Sequence, residues 1–430
     1  MLNNRKKIIA ALRDGNALLP GCSVALNSKS CKKYDNKYGL TYLGFVIKEN
    51  YSKIIMKSVS TIFSSVMVFS IIFISCQETK NKEKETTKIK RAKDYLQLPI
   101  AMSEQWKFIG EAINEPGYDI WGSSPIRDDN GNVHLFCARW SSDNPFITAW
   151  RFNSEIAHYS AETPEGPFQF VEVIGNGKGN KKWNSSGFHN PNIRKIDDKY
   201  VLVYIANDGA EKHGPNQRIG MLLSDNIDGP WIEKPNENEP LLSPPADSAI
   251  WCNNSGCGVN NPSLIKHPNG KYYLYFKGMS GPRPEGKVSM GLAISDKLEG
   301  PYIIQPYPIT ANESVIEDGY AFLWRNQICL LTTDNHGILE KGGGLLWTSE
   351  DGLKFKSEPL SGFHNFEKFY LKGNVLETAN ARYTKEVKFE RPQLLMDANN
   401  EPEYLYCPSG VAIDGSDGTN CYVLKYEKDK

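Results

Sequence analysis

The chain of 430 residues is 40% hydrophobic and 23% charged, which suffices for a large core and excludes a disordered chain. Its 50 Lys and Arg residues balance 50 Asp and Glu residues, so bulk charge does not favour nucleic acid as a partner. The length allows two to four domains or one large β architecture.

Residues 1–55 show neither strand alternation nor a sustained helical stripe. They precede a segment that has the character of an export signal, and such a signal normally starts a protein. We therefore predict a mis-assigned start, with Met56 as the true first residue. The alternative is a genuine N-terminal extension.

Residues 56–76, MKSVSTIFSSVMVFSIIFISC, have a basic start and then an apolar stretch too short to span a membrane comfortably. The segment ends in Ser75-Cys76, which resembles a bacterial lipobox, so Cys76 is the predicted lipidation site. This favours an exported protein, lipid-anchored to a bacterial membrane on the periplasmic side or at the cell surface. An uncleaved membrane helix is the alternative.

The polar run 77–94, rich in Lys, Glu and Thr, is typical of a solvated tether. The chain is thus divided into a doubtful leader (1–55), a lipoprotein signal peptide (56–76), the tether (77–94) and one catalytic domain (95–430).

From residue 95 onward the sequence repeats a unit of roughly 67 residues. A short polar motif opens each unit, and an Asp/Asn/Gly turn with an aromatic strand follows most copies, which is hairpin chemistry. The motifs are Ser124-Pro125-Ile126, Asn190-Pro191-Asn192-Ile193, Asn261-Pro262-Ser263-Leu264, Glu317-Asp318-Gly319-Tyr320 and Glu390-Arg391-Pro392-Gln393-Leu394.

Five units of about four strands without intervening helices predict an all-β fold, a five-bladed β-propeller of four-stranded blades. A solenoid would need shorter units, and a sandwich would not repeat its motif. The motif is expected on the innermost strand of each blade, with Ser124, Asn190, Asn261, Asp318 and Arg391 at equivalent positions. Their polar side chains should then converge on one central funnel.

The five-fold pattern over about residues 105–425 resembles the propeller glycoside hydrolases of family 43 and their family 117 relatives. The runs that carry the resemblance are Trp121–Ile126, Ser154–His158, Pro164–Phe168, His189–Ile193, Asn216–Gly220 and Glu390–Leu395. The family 43 pattern implies an Asp base in blade one, a tuning Asp in blade three and a Glu acid in blade four. Glu317 matches the acid, whereas Ser124 and Asn261 stand at the other two positions.

Because a serine and an asparagine cannot replace two carboxylates, other residues must supply acid or base chemistry if the protein hydrolyses glycosides. The open candidates are Asp119, Glu155, Asp318, Asp334 and His336. The structural alternatives are a surface turn for Asp119, a buried pair for Glu155 and His158, and a simple turn for Asp334.

Other polar and aromatic residues are candidates for sugar binding. Amides and imidazoles can hydrogen-bond hydroxyl groups, arginines can hold a carboxylate or sulfate, and tryptophans offer flat apolar faces. The predicted binding residues are Trp121, Ser124, Arg139, Trp140, His158, His189, Asn190, Arg218, Asn260, Asn261 and Arg391.

No cofactor is required for this chemistry, although His336 or His364 could hold a structural ion in the central channel. The cysteines show no zinc-binding spacing. Cys137, Cys329, Cys407 and Cys421 lie in apolar strand-like runs and are predicted core thiols, while Cys252 and Cys257 flank a tight loop and are a candidate disulfide.

The leading hypothesis is a glycoside hydrolase that trims oligosaccharides from an environmental polysaccharide, a marine one among the options, with exo action in a closed funnel. Two alternatives stay open. One is a surface glycan-binding propeller that has lost catalysis, and the other is a glycoside phosphorylase in which phosphate is the nucleophile. The partners are a carbohydrate and the membrane that holds the lipid anchor.

Overall fold

The computed structural model describes residues 102–179, 182–210, 216–282, 285–310, 315–369, 388–409 and 419–428. The predicted leader, the export signal with Cys76 and the tether lie outside these residues. Within the described part of the chain, no helix has the length and hydropathy to cross a membrane.

A short 3₁₀ helix, Met102–Gln105, comes before the strands. In chain order the described elements are then β1 (Trp106–Ile113), β2 (Tyr118–Arg127), β3 (Val133–Ser141), α1 (Phe146–Phe152), β4 (Glu155–Ala161), β5 (Gln169–Gly175), β6 (Ser186–Ile196), β7 (Lys199–Asn207), β8 (Arg218–Ser224), β9 (Ile232–Lys234), β10 (Asn260–Lys266), β11 (Tyr272–Ser280), β12 (Lys287–Ser295), β13 (Ile303–Ile304), β14 (Glu317–Trp324), β15 (Gln327–Thr333), β16 (Gly344–Ser349), β17 (Leu360–Phe363), α2 (Phe366–Phe369), β18 (Gln393–Met396), β19 (Pro402–Pro408) and β20 (Cys421–Tyr426).

These strands form five antiparallel sheets of four strands each, which confirms the predicted five-bladed propeller. Four blades are consecutive in the chain, with β2, β6, β10 and β14 as innermost strands. The fifth blade has the order β18-β19-β20-β1, so the first described strand supplies its outer edge. The repeat alone did not predict this closure of the ring.

The period of two in the aromatic strands explains why the blades pack face to face. In β11, Tyr273 and Tyr275 lie in the hydrophobic cluster shared with the fourth blade. Leu274 and Phe276, on the other face, lie in the cluster shared with the second blade. Successive side chains point to opposite faces of a strand, so each blade is apolar on both sides.

The hairpins carry the predicted turn chemistry. Asp197 and Asp198 join β6 to β7 with φ of 51° and 61°, the left-handed pair of a two-residue hairpin turn. Asp tolerates this conformation better than most residues, so the Asp-Asp turn directs the chain back along the blade.

Adjacent inner strands are joined by a repeated hydrogen bond from a backbone N–H to a side chain. Ser124 Oγ accepts from Ile193 N at 3.0 Å, and Asn192 Oδ1 accepts from Leu264 N at 3.0 Å. Ser263 Oγ accepts from the backbone N of the next inner strand at 2.9 Å. Ser124 also donates to Gln393 Oε1 at 3.1 Å and is fully buried. Ser124 is therefore a structural link between blades, and this geometry does not support its predicted role in sugar binding.

The described cysteines are all free thiols. Cys137, Cys329, Cys407 and Cys421 are fully buried, as predicted for core residues. Cys252 and Cys257 are buried without a bond between them, so the expected disulfide is wrong.

Candidate active site

A β-bulge interrupts the innermost strand of each of the first four blades. The strand register shifts between Trp121 and Ser124 in the first blade, and between Glu317 and Tyr320 in the fourth. The same shift occurs in the second and third blades. A bulge turns the backbone and re-aims a side chain, so it gives each blade one residue directed differently from its neighbours.

The bulge residues share a left-handed backbone and are the true five-fold equivalents. Their φ angles are 61° at Gly122, 49° at Asn190, 49° at Asn261, 62° at Asp318 and 44° at Arg391. The position expected for Ser124 is thus held by Gly122, two residues earlier. Gly adopts this conformation without cost, whereas Arg391 is strained there and must be held by its contacts.

Four of the bulge side chains form a ring across the channel. Asn190 Nδ2 donates to Asn261 Oδ1 at 2.8 Å, and Asn261 Nδ2 donates to Asp318 Oδ1 at 2.5 Å. Arg391 closes the ring, since its Nη2 donates to the carbonyl of Asn190 at 3.0 Å and its backbone N to Asp318 Oδ2 at 3.3 Å. A Cβ on Gly122 would meet Asn190 Oδ1 at 3.0 Å and Arg391 Cγ at 3.2 Å, so the glycine makes room for the ring.

Arg391 is fully buried and braces blades rather than offering a fork to an anion. Both protons of Nη2 go to backbone carbonyls, those of Asn190 and Pro262 at 3.0 and 2.9 Å. A guanidinium grips an anion with two nitrogens through an edge that includes Nη2, so the predicted bidentate contact is blocked. Burial lowers the pKa of Arg391 to about 10, which still leaves it protonated at neutral pH.

Asp318 is the buried acid of the ring. Burial raises its pKa, and the charge of Glu317 raises it further, while Lys277 and Arg391 oppose these effects. Its Oδ2 also accepts from Thr333 Oγ1 at 3.1 Å. Asp318 therefore supplies negative potential to the channel but has little room to touch a substrate.

The residue before each bulge borders the ring on its funnel side. In blade order these residues are Trp121, His189, Asn260, Glu317 and Glu390. Glu317 has the most exposed side chain of the set, at 32%, and forms an ion pair with Lys277 at 3.1 Å. The charges of Glu317 and Asp318 raise the pKa of Lys277, whereas burial opposes them.

Sequence reasoning undervalued Glu390 of this set and missed Lys277, the partner of Glu317. Glu390 was quoted only as part of a motif, yet it holds the register position of Glu317 in the neighbouring blade. Lys277 lies on β11, outside every motif. Strand pairing sets it opposite Asn260, and from there its side chain reaches Glu317 of the next blade.

An aromatic wall stands beside His189 on the funnel side. The imidazole centroid is 5.6 Å from Trp140 and 5.3 Å from Trp150, and Trp121 packs edge-on against Phe146 of α1 at 5.9 Å. Burial, together with the charge of Arg391, lowers the pKa of His189 to about 3, so the ring is neutral.

Several buried polar atoms around the ring have no hydrogen-bond partner among the described residues. They are His189 Nδ1, Asn190 Oδ1, Asn260 Oδ1, and Nε and Nη1 of Arg391. Buried polar groups are nearly always paired, with water or a ligand if not with protein. They belong to the bulge residues and to the residues just before them, so the predicted His189, Asn190, Asn260 and Asn261 lie around one ring.

The other predicted catalytic residues lie elsewhere or are fully occupied. Asp334 is buried and accepts four backbone N–H groups, those of residues 337–340, at 2.8 to 3.0 Å. Its carboxylate therefore organises the β15–β16 loop, and catalysis by Asp334 is not supported by this geometry. His336 is exposed on that same loop, at the funnel end of the fourth blade.

Glu155 belongs to an ion network on the first blade. It accepts from Arg139 Nε at 2.9 Å, and Arg139 also holds Glu115 at 2.8 Å while lying over the rings of Tyr118 and Phe170. This network joins strands of the first blade, and its geometry does not support the predicted roles of Glu155 and Arg139 in the funnel.

The structure also gives the locations of His158, Asp119 and Arg218, three further predicted site residues. His158 is buried between the first and second blades against Phe136, away from the ring, so it does not bind a sugar in the funnel. Asp119 is buried, not on a surface turn, and accepts from Thr419 N at 3.3 Å at the funnel end of β2. Arg218 is half-buried at the same end of β8.

The expected channel ion has no ligand set in the described channel, where the Asn, Asp and Arg side chains of the ring bond to one another. His364 is held by two carboxylates, with Nδ1 at 2.5 Å from Glu340 and Nε2 at 2.9 Å from Glu104. Among the described residues, a group able to hold a metal lies instead between the first two blades at His134, His158 and Asp228.

Comparison with known proteins gave matches by structure only. No family model and no curated protein matches the sequence. A family 117 glycoside hydrolase from the marine bacterium Zobellia galactanivorans is 17% identical, with a TM-score of 0.56 over 75% of this chain and 90% of that one. The fold is that of the family 43 and family 117 glycoside hydrolases.

Family 43 members match to a similar extent. A thermostable family 43 glycoside hydrolase is 12% identical, with a TM-score of 0.51 over 75% of this chain and 97% of that one. A family 43 enzyme from Xanthomonas citri is 10% identical, with a TM-score of 0.50 over 74% and 90%. The resemblance read from the motifs is thus confirmed for the fold.

Proposed function

We propose that the protein is an exported glycoside hydrolase that removes sugars from the ends of oligosaccharides bound in the funnel, with Glu317 as the proton donor. The observation that carries the proposal is the position of Glu317, a solvent-accessible carboxylate beside the buried ring of the glycosidase-type propeller. Export and lipid anchoring through Cys76 are proposed on the sequence alone.

Glu317 has the surroundings that proton donation needs. Its neighbour Asp318 is buried in the ring, so Glu317 is the acid of the two whose carboxyl group can reach a bound sugar. Lys277 holds Glu317 in an ion pair before substrate binds. We infer that a sugar entering the funnel separates this pair, after which Glu317 can protonate the leaving oxygen.

Glu390 is the proposed general base. Gly122 and Asn261 carry no acid at the positions where the family 43 pattern places carboxylates, so the second carboxylate must come from another blade. Glu390 holds the same register position as Glu317 on the adjacent inner strand. Two carboxylates flanking a bound sugar satisfy the requirement of glycoside hydrolysis for one acid and one base or nucleophile.

The aromatic wall and the unpaired polar atoms supply the proposed sugar contacts. Trp140 is buried and packs on His189, while Trp150 on α1 is half-buried and offers the accessible apolar face. His189 Nδ1 and Asn260 Oδ1 have no hydrogen-bond partner among the described residues and are the proposed contacts to sugar hydroxyl groups. Neutral groups of this kind favour uncharged sugars over sulfated or carboxylated ones.

A non-catalytic glycan-binding propeller is the second candidate. The ion pair between Lys277 and Glu317 favours it, because a carboxylate held by a lysine can keep a binding surface in shape without taking part in catalysis. The phosphorylase alternative is weaker, since the guanidinium of Arg391 is committed to backbone carbonyls and not presented to phosphate.

Product release from a panel of neutral plant and marine oligosaccharides tests the proposal. Turnover should fall by about 10²–10⁴-fold in Glu317→Gln and in Glu390→Gln, with binding retained, as expected for general acid–base catalysis. Loss in Glu317→Gln should be smaller for substrates with good leaving groups. Glu162→Gln, an exposed carboxylate change at the opposite end of the propeller, is the matched control.

Retained binding without product release from any substrate would favour the glycan-binding candidate. Near-normal turnover in Glu317→Gln would show that another residue is the acid, with Asp318 and His336 as the next to test. Near-normal turnover in Glu390→Gln alone would remove it as the base while leaving the acid in place.

A further inference from the structure

A second group of reactive side chains lies between the first and second blades, at the end of the propeller opposite the funnel. His134 is near the start of β3, His158 lies on β4, and Asp228 lies in the turn between β8 and β9. The funnel residues described above make no use of this group.

The two histidines face one another in the blade interface. Nδ1 of His134 lies 2.8 Å from Nε2 of His158, and the two side chains are almost fully enclosed, at 6% and 0% residue exposure. Phe136 stacks on His158 with ring centroids 4.5 Å apart. This apolar packing fixes the position of the ring without satisfying its remaining nitrogen.

Both histidines carry a buried nitrogen without a hydrogen-bond partner among the described residues, Nε2 of His134 and Nδ1 of His158. A carboxylate lies near each of these two nitrogen atoms. Asp128 Oδ2 is 3.4 Å from Nε2 of His134, and Asp228 Oδ1 is 4.0 Å from Nδ1 of His158. A buried nitrogen left unpaired is costly, and it calls for a ligand or water.

An acidic cleft of about 410 Å³ lies beside this pair and is lined in part by Asp128 and Asp228. Its single lysine, Lys195, is bound to Asp129 at 2.7 Å. The carboxylates that line the cleft are Asp128, Asp129, Asp198, Asp225 and Asp228. A concave surface with this excess of negative charge concentrates cations.

We propose that His134, His158 and Asp228 bind a divalent transition-metal ion of the zinc class. One donor atom from each residue lies within 4.8 Å of the others, and two imidazoles with one carboxylate form a donor set typical of zinc. Hard ions such as calcium prefer oxygen ligands throughout, so two histidines discriminate against them.

Small movements complete the proposed site. Tetrahedral zinc with bonds near 2.0–2.1 Å needs donor atoms about 3.3 Å apart. Asp228 has a side chain that is 68% exposed on a turn, so it can move toward the histidines without disturbing the core. The unpaired Nδ1 of His158 is the nitrogen nearest to Asp228. For His134 the ion requires that Nδ1 leave its 2.8 Å contact with Nε2 of His158, while Asp128 accepts from Nε2, the usual role of a carboxylate behind a metal-bound histidine.

The proposed ion joins two blades, since both histidines belong to the first blade and Asp228 to the second. Binding to the folded state only would raise the temperature of unfolding, and it would do so without a change in the funnel. The metal is therefore a structural cross-link and not a participant in catalysis.

Titration of the chelator-treated protein with zinc chloride, followed by calorimetry and by thermal unfolding, tests this proposal. One equivalent of zinc should bind and raise the unfolding temperature by several degrees, whereas calcium chloride should do neither. Asp228→Asn should weaken zinc binding at least tenfold without changing the unfolding temperature of the metal-free protein, because the side chain is exposed. His158→Gln should abolish binding.

His267→Gln is the matched control, since His267 lies in the corresponding turn of the third blade, where it packs on Tyr273 at 4.3 Å and accepts from Asn269 N at 3.1 Å. It should bind zinc as the unaltered chain does. Absence of a zinc equivalent, equal affinity in Asp228→Asn, or a preference for calcium would each overturn the proposal. If His158→Gln does not fold, the result with Asp228→Asn decides.

Discussion

Blade four contains two fully enclosed aspartates with opposite roles. Asp334 sits at the end of β15, where its two carboxylate oxygens accept four backbone N–H groups. Asp318 sits in the bulge of β14, beside Glu317, Lys277 and Arg391, and burial raises its pKa. One carboxylate builds a loop, and the other sets the charge of the channel.

The comparison shows that burial alone does not identify a catalytic acid. Backbone donors stabilise a carboxylate and hold it in place, which suits a loop. A neighbouring negative charge and poor solvation disfavour the ionised form of a carboxylate, and a carboxyl group of this kind suits a proton-transfer site. Asp318 stands at the start of one apolar strand and Asp334 just after another, so their sequence surroundings look alike.

Asp334→Ala should have the largest effect on stability. Four backbone donors would lose their acceptor, and a buried unpaired donor costs about 1–3 kcal/mol, less where water enters. We expect a loss of about 3–5 kcal/mol in the free energy of unfolding, measured with urea. Asp225→Ala, an exposed carboxylate, should change it by under about 0.5 kcal/mol. A loss below about 1 kcal/mol for Asp334→Ala would contradict the loop role.

The pH dependence of stability should depend on His189. Its folded pKa is about 3 against an ordinary 6.5, so the unfolded chain binds a proton that the folded one refuses. The stabilisation is complete above pH 6.5 and is lost as pH falls, by about 2 kcal/mol between pH 6.5 and 4.5. His189→Gln should remove about half of this slope, because burial also lowers the pKa of His158 to about 3, whereas the exposed His336→Gln should keep it.

Asp318 should give a smaller slope of the opposite sign. Its folded pKa is raised above 3.8, so its contribution is greatest below that pH and is lost as pH rises toward the folded pKa. Asp318→Asn should flatten this part of the curve and change the unfolding free energy at neutral pH by about 1–2 kcal/mol. A steeper fall with rising pH in the variant would contradict the direction of the shift.

Removal of residues 1–94 should have the smallest effect. The sequence predicts that this part contributes no core residues, and the described propeller starts at Met102. The unfolding temperature of the truncated chain should equal that of the full one. A truncation that also removes residues 95–113 should lower it strongly, because β1 completes the fifth blade.

The propeller could be predicted because its signals are local. Alternating aromatics and Asp or Gly turns recur in each unit, and they act within single hairpins. The channel was harder to predict, since a bulge decides which residue points inward. Ser124-Pro125 looks like Asn190-Pro191, yet the strand registers show that Gly122, and not Ser124, is the equivalent of Asn190. Contacts between blades, such as Lys277 with Glu317, leave no mark in the repeat.

The predicted binding residues fall into two groups, those on inner strands and those on other strands. His189, Asn190, Asn260 and Asn261 were found from the motif on inner strands and do meet around the ring. Arg139, Glu155 and His158 were chosen by residue type on other strands. Arg139 and Glu155 bond to each other there, and His158 packs on Phe136 away from the ring.

The pairing of β1 with β20 has a consequence for how the molecule assembles. Trp106 lies opposite Tyr426, so the first and last strands of the described chain are neighbours in one sheet. A chain made from its N-terminus must keep β1 without its partner until the final strand has emerged. Contacts between such distant residues form late and slowly. Any C-terminal truncation through β20 would therefore leave β1 as an open edge, a template for pairing with other chains.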